Sequence, residues 1–148
     1  MATLPWTATA PIDPDANYVV IATRFTVLRR RDLPGVLAAT TDLWSGFADT
    51  DGLIGYSLLA RAVRGTLATL SAWRDHETML TFVRGPAHLE VVEHTRVRLG
   101  ESTFSTWRAT GAELPVDWKS AEDRLDLARR PRQTREGIAR GHSRLSIP

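Results

Sequence analysis

Short apolar runs alternate along the chain with polar, proline- or glycine-marked breaks, and the period of each run assigns it an element. The first run, YVVIATRFTVL from Tyr18 to Leu28, is apolar at both parities. Val19, Ile21, Thr23, Phe25 and Val27 share one face of this predicted strand, and Tyr18, Val20, Ala22, Arg24, Thr26 and Leu28 share the other. A strand covered on one side only alternates apolar with polar residues, so this one predicts cover on both faces. A helix follows, with Asp32 at its N-cap and Pro34 in the first turn, where a missing N–H costs little. Val36, Leu37, Leu43, Trp44 and Phe47 lie along one side of it, and Gly52 marks its exit. The runs LIGYSLLARAV and TLATLSAW, separated by Arg64-Gly65, predict a β-hairpin.

A second helical stretch starts at Asp75, breaks at Gly85-Pro86 and resumes to about Leu99. ESTFSTWRAT then predicts a last strand, and Asp117 to Arg130 a short amphipathic helix. Residues 1–16 hold Pro5, Pro11 and Pro14 among small polar residues and predict an extended arm. The chain therefore divides into that arm, one domain over residues 17–130, and a basic tail over residues 131–148, dispensable for folding because Pro131, Gly137 and Gly141 interrupt any helix. The order β-α-β-β-α-β is that of the ferredoxin-like α+β fold: a four-stranded antiparallel sheet with its helices on one face. Such a sheet leaves an apolar face bare. A second copy of the chain would cover it, which predicts a homodimer.

Composition narrows the possibilities further. With 148 residues, 43% hydrophobic and 24% charged, the chain suits one globular domain. The absence of cysteine excludes disulfides, thiolate zinc sites and cysteine nucleophiles, and fits a cytoplasmic setting. Net charge is +2, but residues 119–148 carry eight Lys/Arg against four Asp/Glu. No aromatic is interleaved with these charges after Trp118, so nucleic acid is not an expected partner. No run approaches the roughly 18 apolar residues of a membrane span, and the first residues lack the basic start and apolar core of a secretory signal. No membrane partner is expected.

Three sets of residues could carry chemistry. Helical spacing after Pro86 puts His88, Val91, Val92, Thr95 and Leu99 on one stripe, making His88 the polar member of an apolar face. Two readings stay open for it: a buried neutral imidazole tied to a backbone carbonyl, or a pocket base. Burial near a helix N-terminus lowers the pKa of an imidazole and keeps it able to accept a proton. Trp73, Trp107 and Tyr56 lie in predicted strands, as flat walls for an apolar or aromatic small molecule or as core filling. Arg24 and Arg108 are charges inside apolar strands; each either pairs with a helix carboxylate or meets an anionic group of a ligand. There is no glycine-rich phosphate loop, Gly-x-Ser-x-Gly elbow or His-Glu-x-x-His motif, and His76, His88 and His94 lack the i, i+4 spacing of a helical metal pair.

The order of elements from Tyr18 to Thr110, together with the W-x(8)-F-x(5)-H pattern of Trp73, Phe82 and His88, resembles the dimeric α/β-barrel superfamily that includes antibiotic biosynthesis monooxygenases. Within it, WRDHETMLTFVRGPAHLEVVEHTR and the strand that follows, residues 73–108, look similar to spheroidene monooxygenase-like proteins. The resemblance implies a pocket between sheet and helices and a monooxygenase that needs neither metal nor flavin, because a substrate phenolate or enolate itself reduces oxygen. It implies His88 as the group that accepts or holds a proton, with Trp73, Phe82, Trp107 and Tyr56 as walls. Other members of the superfamily imply two alternatives: a haem-dependent oxygenase or dehydratase, and a non-catalytic dimer that holds an apolar ligand. In the haem-degrading relatives the helix histidine falls about four residues later, where this chain has Val92.

Overall fold

The computed structural model describes residues 2–134. Its sheet holds five strands: β1 (Ala2–Ala8), β2 (Asn17–Val27), β3 (Leu53–Arg61), β4 (Thr66–Trp73) and β5 (Leu99–Thr110). They are ordered β1-β3-β4-β2-β5, and every neighbouring pair is antiparallel. Without β1 this is the ferredoxin-like arrangement, with the first core strand between the third and the fourth. The β3–β4 hairpin turns at Gly65, whose φ of 64° lies in the left-handed region that glycine enters freely.

The fifth strand corrects the expectation of a four-stranded sheet, since part of the extended arm expected over residues 1–16 joins it. β1 pairs with β3 from Ala2↔Ala60 to Ala8↔Gly55, with a register shift between Leu4 and Thr7. Proline reads as a loop signal, but Pro5 sits at that irregularity on an edge strand, where a missing N–H breaks no ladder. The shift lays the Trp6 indole directly on Gly55, leaving no room for a Cβ there. Gly55→Ala is expected to cost about 1–3 kcal/mol in urea unfolding. Adding Trp6→Ala should recover part of that cost, as a clash with this one ring requires.

Four α-helices pack on the sheet: α1 (Leu33–Ser45), α2 (His76–Val83), α3 (Pro86–Thr95) and α4 (Trp118–Thr134). The break at Gly85-Pro86 separates α2 from α3. Asp75 caps α2, its Oδ1 accepting from the Thr78 N–H at 2.8 Å. Asp32 precedes α1 but makes no capping bond, because a 3-10 turn over Arg30–Asp32 has already brought it into helical conformation. α1, α2 and α3 stand on the face of β2 that bears Val19 and Ile21, where Trp44, Phe47, Met79 and Val83 pack with Trp73.

Helices are not confined to one face. α4 lies on the opposite side, where Ala121 and Leu125, both fully buried, pack with Tyr18, Val20, Ala22, Leu70 and Ala72. Arg24, on the same side, donates to Asp126 of α4 at 2.9 Å. The apolar face that seemed to need a second copy is thus covered from within the chain. A bare sheet face is therefore no ground for a homodimer here. α4 also runs through Pro131 to Thr134, beyond the expected end at Arg130; in a last turn a proline removes only one helical hydrogen bond. The remainder of the basic tail, residues 135–148, lies outside the described residues. Among the described residues no helix is long and apolar enough to cross a membrane.

Candidate active site

Between the sheet and helices α1 to α3 lies a cavity of about 400 Å³, a size that suits a small organic ligand. The parity of the strands builds its floor. Ile21, Thr23 and Phe25 come from β2, Thr69, Ser71 and Trp73 from β4, and Phe104 from β5. The walls are Val36, Thr40, Leu43 and Trp44 of α1, Phe82 and Val83 of α2, and the α3 stripe His88, Val91, Val92 and Thr95, with Leu99 beyond it. No charged side chain lines the cavity among the described residues.

Phe82 is the hub of an aromatic cluster. Its ring lies 5.6 Å from Trp44, 4.6 Å from Phe47, 5.0 Å from Trp73 and 5.2 Å from His88, centroid to centroid. Tilted and edge-on pairs of this kind add about 0.5–1.5 kcal/mol each beyond their buried area. Phe82→Ala is therefore expected to destabilise the fold by about 2–4 kcal/mol, read from the shift of the urea midpoint. Phe82→Leu, which keeps most of the volume, should cost less than half as much.

His88 is the third residue of α3 and is half-buried. Its Nδ1 lies 3.0 Å from the carbonyl oxygen of Val83, at the end of α2. A carbonyl can only accept, so Nδ1 carries the proton and Nε2 keeps its lone pair. No group among the described residues bonds Nε2. Burial pushes the pKa of His88 below its ordinary value of 6.5, against a smaller upward pull from the Val83 carbonyl. The structure shows the first of the two readings, an imidazole tied to a backbone carbonyl, and that bond leaves the Nε2 lone pair on a residue of the cavity wall.

This lowered pKa has a signed consequence for stability. Below the ordinary 6.5 of the unfolded imidazole, the unfolded chain binds the proton more readily than the folded one. Stability should therefore fall as pH drops from 6.5 through the lower folded value, and be unaffected by His88 above that window. His88→Gln should flatten this part of the pH–stability curve. An identical curve for wild type and variant would contradict the assignment.

The other predicted residues separate into groups. Trp73 and Phe82 line the cavity beside His88. Tyr56 is buried behind it, stacked on Trp44 at 5.2 Å, and supports the wall without lining it. Trp107 is not a wall: it pairs with Val20 on the α4 side, where the Arg124 guanidinium sits 4.5 Å above its ring. Arg24 is likewise on the α4 side, held by Asp126. Arg108 pairs with Val19 at the exposed edge strand β5 and does not reach the cavity. Sequence reasoning passed over Ser71, Thr69, Thr23 and Phe104. Period two along β4 could have found the first two, since Thr69 and Ser71 share the parity of Trp73 and oppose that of Leu70 and Ala72.

No protein-family model matches the sequence, and neither does any curated protein. Solved structures do. SnoaB from Streptomyces nogalater, described as a cofactor-independent oxygenase, is 24% identical with a TM-score of 0.52, over 64% of this chain and 94% of SnoaB. Rv0793 from Mycobacterium tuberculosis is 18% identical with a TM-score of 0.53, over 68% of this chain and 96% of its own. A protein described as an antibiotic biosynthesis monooxygenase is 12% identical with a TM-score of 0.55, over 62% of this chain and 98% of its own. The chain has the ferredoxin-like α+β fold of the antibiotic biosynthesis monooxygenase structures, extended by β1 at one edge and by α4 across the second face of the sheet.

Proposed function

We propose that the cavity binds an aromatic or polyketide-like small molecule and that the chain is a monooxygenase acting without a prosthetic group. One observation carries this reading: among the described residues His88 presents an unbonded Nε2 on the wall of a largely apolar cavity with no Asp, Glu, Lys or Arg in its lining, and its tautomer is fixed by Val83. The likeness of fold to SnoaB, itself described as a cofactor-independent oxygenase, supports it. His88 Nε2 takes a proton from an acidic C–H or O–H of the substrate, and the electron pair spreads into the ring system. The resulting anion passes an electron to dissolved oxygen, and a carbon–oxygen bond forms. Loss of water then leaves a carbonyl, so that CH2 and O2 give C=O and H2O. The apolar walls keep the anion from bulk water, and the aromatic cluster orients it.

Haem suits this cavity poorly. Its two propionates call for cationic partners, and no Arg or Lys lines the cavity among the described residues. The oxygen electrode tests the proposal. With anthrone as probe, purified protein should consume oxygen without added metal or flavin and in the presence of a chelator, and its visible spectrum should show no Soret band. Binding of anthrone without oxygen uptake would favour a non-catalytic ligand-binding protein, and a Soret band would restore haem.

A further inference from the structure

The sheet contains two tryptophan-to-serine hydrogen bonds, one on each face, and they end differently. On the α4 side, Trp118 Nε1 donates to Ser57 Oγ at 3.0 Å, and Ser57 in turn donates to the Leu4 carbonyl at 2.7 Å. Every proton in that relay reaches an acceptor. On the cavity side, Trp73 Nε1 donates to Ser71 Oγ at 2.9 Å. There the relay stops: Ser71 lines the cavity, is only 3% exposed, and its own hydroxyl proton reaches no acceptor among the described residues. A buried hydroxyl that gives up its proton to nothing is costly, and such groups in native proteins find a partner.

From this we infer that Ser71 is the oxygen-binding donor of the site: its hydroxyl donates to a carbonyl oxygen of the bound molecule. The inference rests on the cavity being the binding site proposed above, and adds a second recognition element to it. Trp73 acts here as a positioning residue. By occupying one lone pair of Ser71 Oγ it directs the hydroxyl proton toward the cavity, and a hydroxyl that accepts one hydrogen bond donates a stronger one. Of the other cavity hydroxyls, Thr40 and Thr95 donate to the Val36 and Val91 carbonyls of their own helices at 2.7 and 2.8 Å, while Thr23 and Thr69 are half-buried where Ser71 is buried. The site thus presents an acceptor at His88 and a donor at Ser71. Its ligand class is an aromatic compound carrying both a dissociable proton and a conjugated carbonyl. When His88 takes the proton, negative charge develops on that carbonyl oxygen, where the Ser71 hydroxyl stabilises it.

The test compares two probes by calorimetric titration: hydroxyanthraquinone, and hydroxyanthracene, which lacks the carbonyls. Ser71→Ala should weaken hydroxyanthraquinone by about tenfold or more and leave hydroxyanthracene nearly unchanged. Ser71→Thr, which keeps the hydroxyl and suits a strand, should restore most of the loss and guards against a misfolded Ala variant. In difference infrared spectra, the carbonyl stretch of bound hydroxyanthraquinone should move to lower frequency in wild type and Ser71→Thr, but not in Ser71→Ala. Equal effects on both probes, or an unmoved carbonyl band in wild type, would overturn the inference while leaving the cavity as the binding site. If neither probe binds wild type, the binding site itself is wrong and the inference falls with it.

Discussion

Replacing His88 with Ala should lower turnover of an oxidisable aromatic probe by about 100- to 10,000-fold, the usual cost of removing a positioned general base. Binding should weaken far less, because Val91, Val92, Trp73 and Phe82 still form the walls. The hydrogen bond lost to the Val83 carbonyl is worth only about 1 kcal/mol of stability, so the variant should remain folded. The pH profile adds a second signature. Because burial holds His88 below its ordinary value, the wild-type rate should persist below pH 6.5 and decline only once the imidazole is protonated. His88→Gln keeps a polar group of similar reach but cannot serve as a base near neutrality; it should be as slow as Ala and lose this acid limb. A folded His88→Ala with normal turnover would leave the imidazole only its bond to Val83.

The second large effect concerns α4. Removing residues 117–148 takes away Ala121 and Leu125 and uncovers Tyr18, Val20, Ala22, Leu70 and Ala72. It also removes Trp118, and with it one end of the relay through Ser57. A fully buried Leu alone contributes about 2–5 kcal/mol against Ala, and total stability is commonly about 5–15 kcal/mol. The truncated chain should therefore lose its cooperative unfolding transition and associate through the uncovered face. Leu125→Asp, which leaves the chain length unchanged, should reproduce most of the loss by burying a carboxylate among Tyr18, Val20, Ala22, Leu70 and Ala72. A truncated chain with the oligomeric state and urea midpoint of the full chain would show that α4 does not cover the sheet in solution.

Much of this architecture is legible in the residues, and the parts that are not have physical reasons. The 3.6-residue period after Pro86 put His88, Val91, Val92, Thr95 and Leu99 on one stripe, and all five line the cavity, because periodicity is a property of the local chain. Trp107 shows where that reasoning ends. Its face depends on which residue of β2 it opposes, and the pairing with Val20 belongs to register between distant strands. The same limit hid α4. Its sequence reads as an amphipathic helix, but a helix's own pattern does not say which face of a sheet it covers, so a second copy was invoked where Leu125 already sits. β1 was masked by Pro5, a loop signal that an edge strand tolerates. Ser71 was missed for another reason. A serine between Leu70 and Ala72 is unremarkable until the distance from Trp73 Nε1 reveals which way its proton is free to go.

Nitrogen NMR of selectively labelled histidine, with and without hydroxyanthracene, tests most directly whether His88 is a proton acceptor facing a bound aromatic. The expected His88 signal is that of the Nδ1–H tautomer, titrating below 6.5, with its Nε2 resonance displaced when the probe binds and unchanged by buffer alone. A protonated Nε2 at neutral pH, or an Nε2 resonance indifferent to saturating probe, would contradict the proposed site.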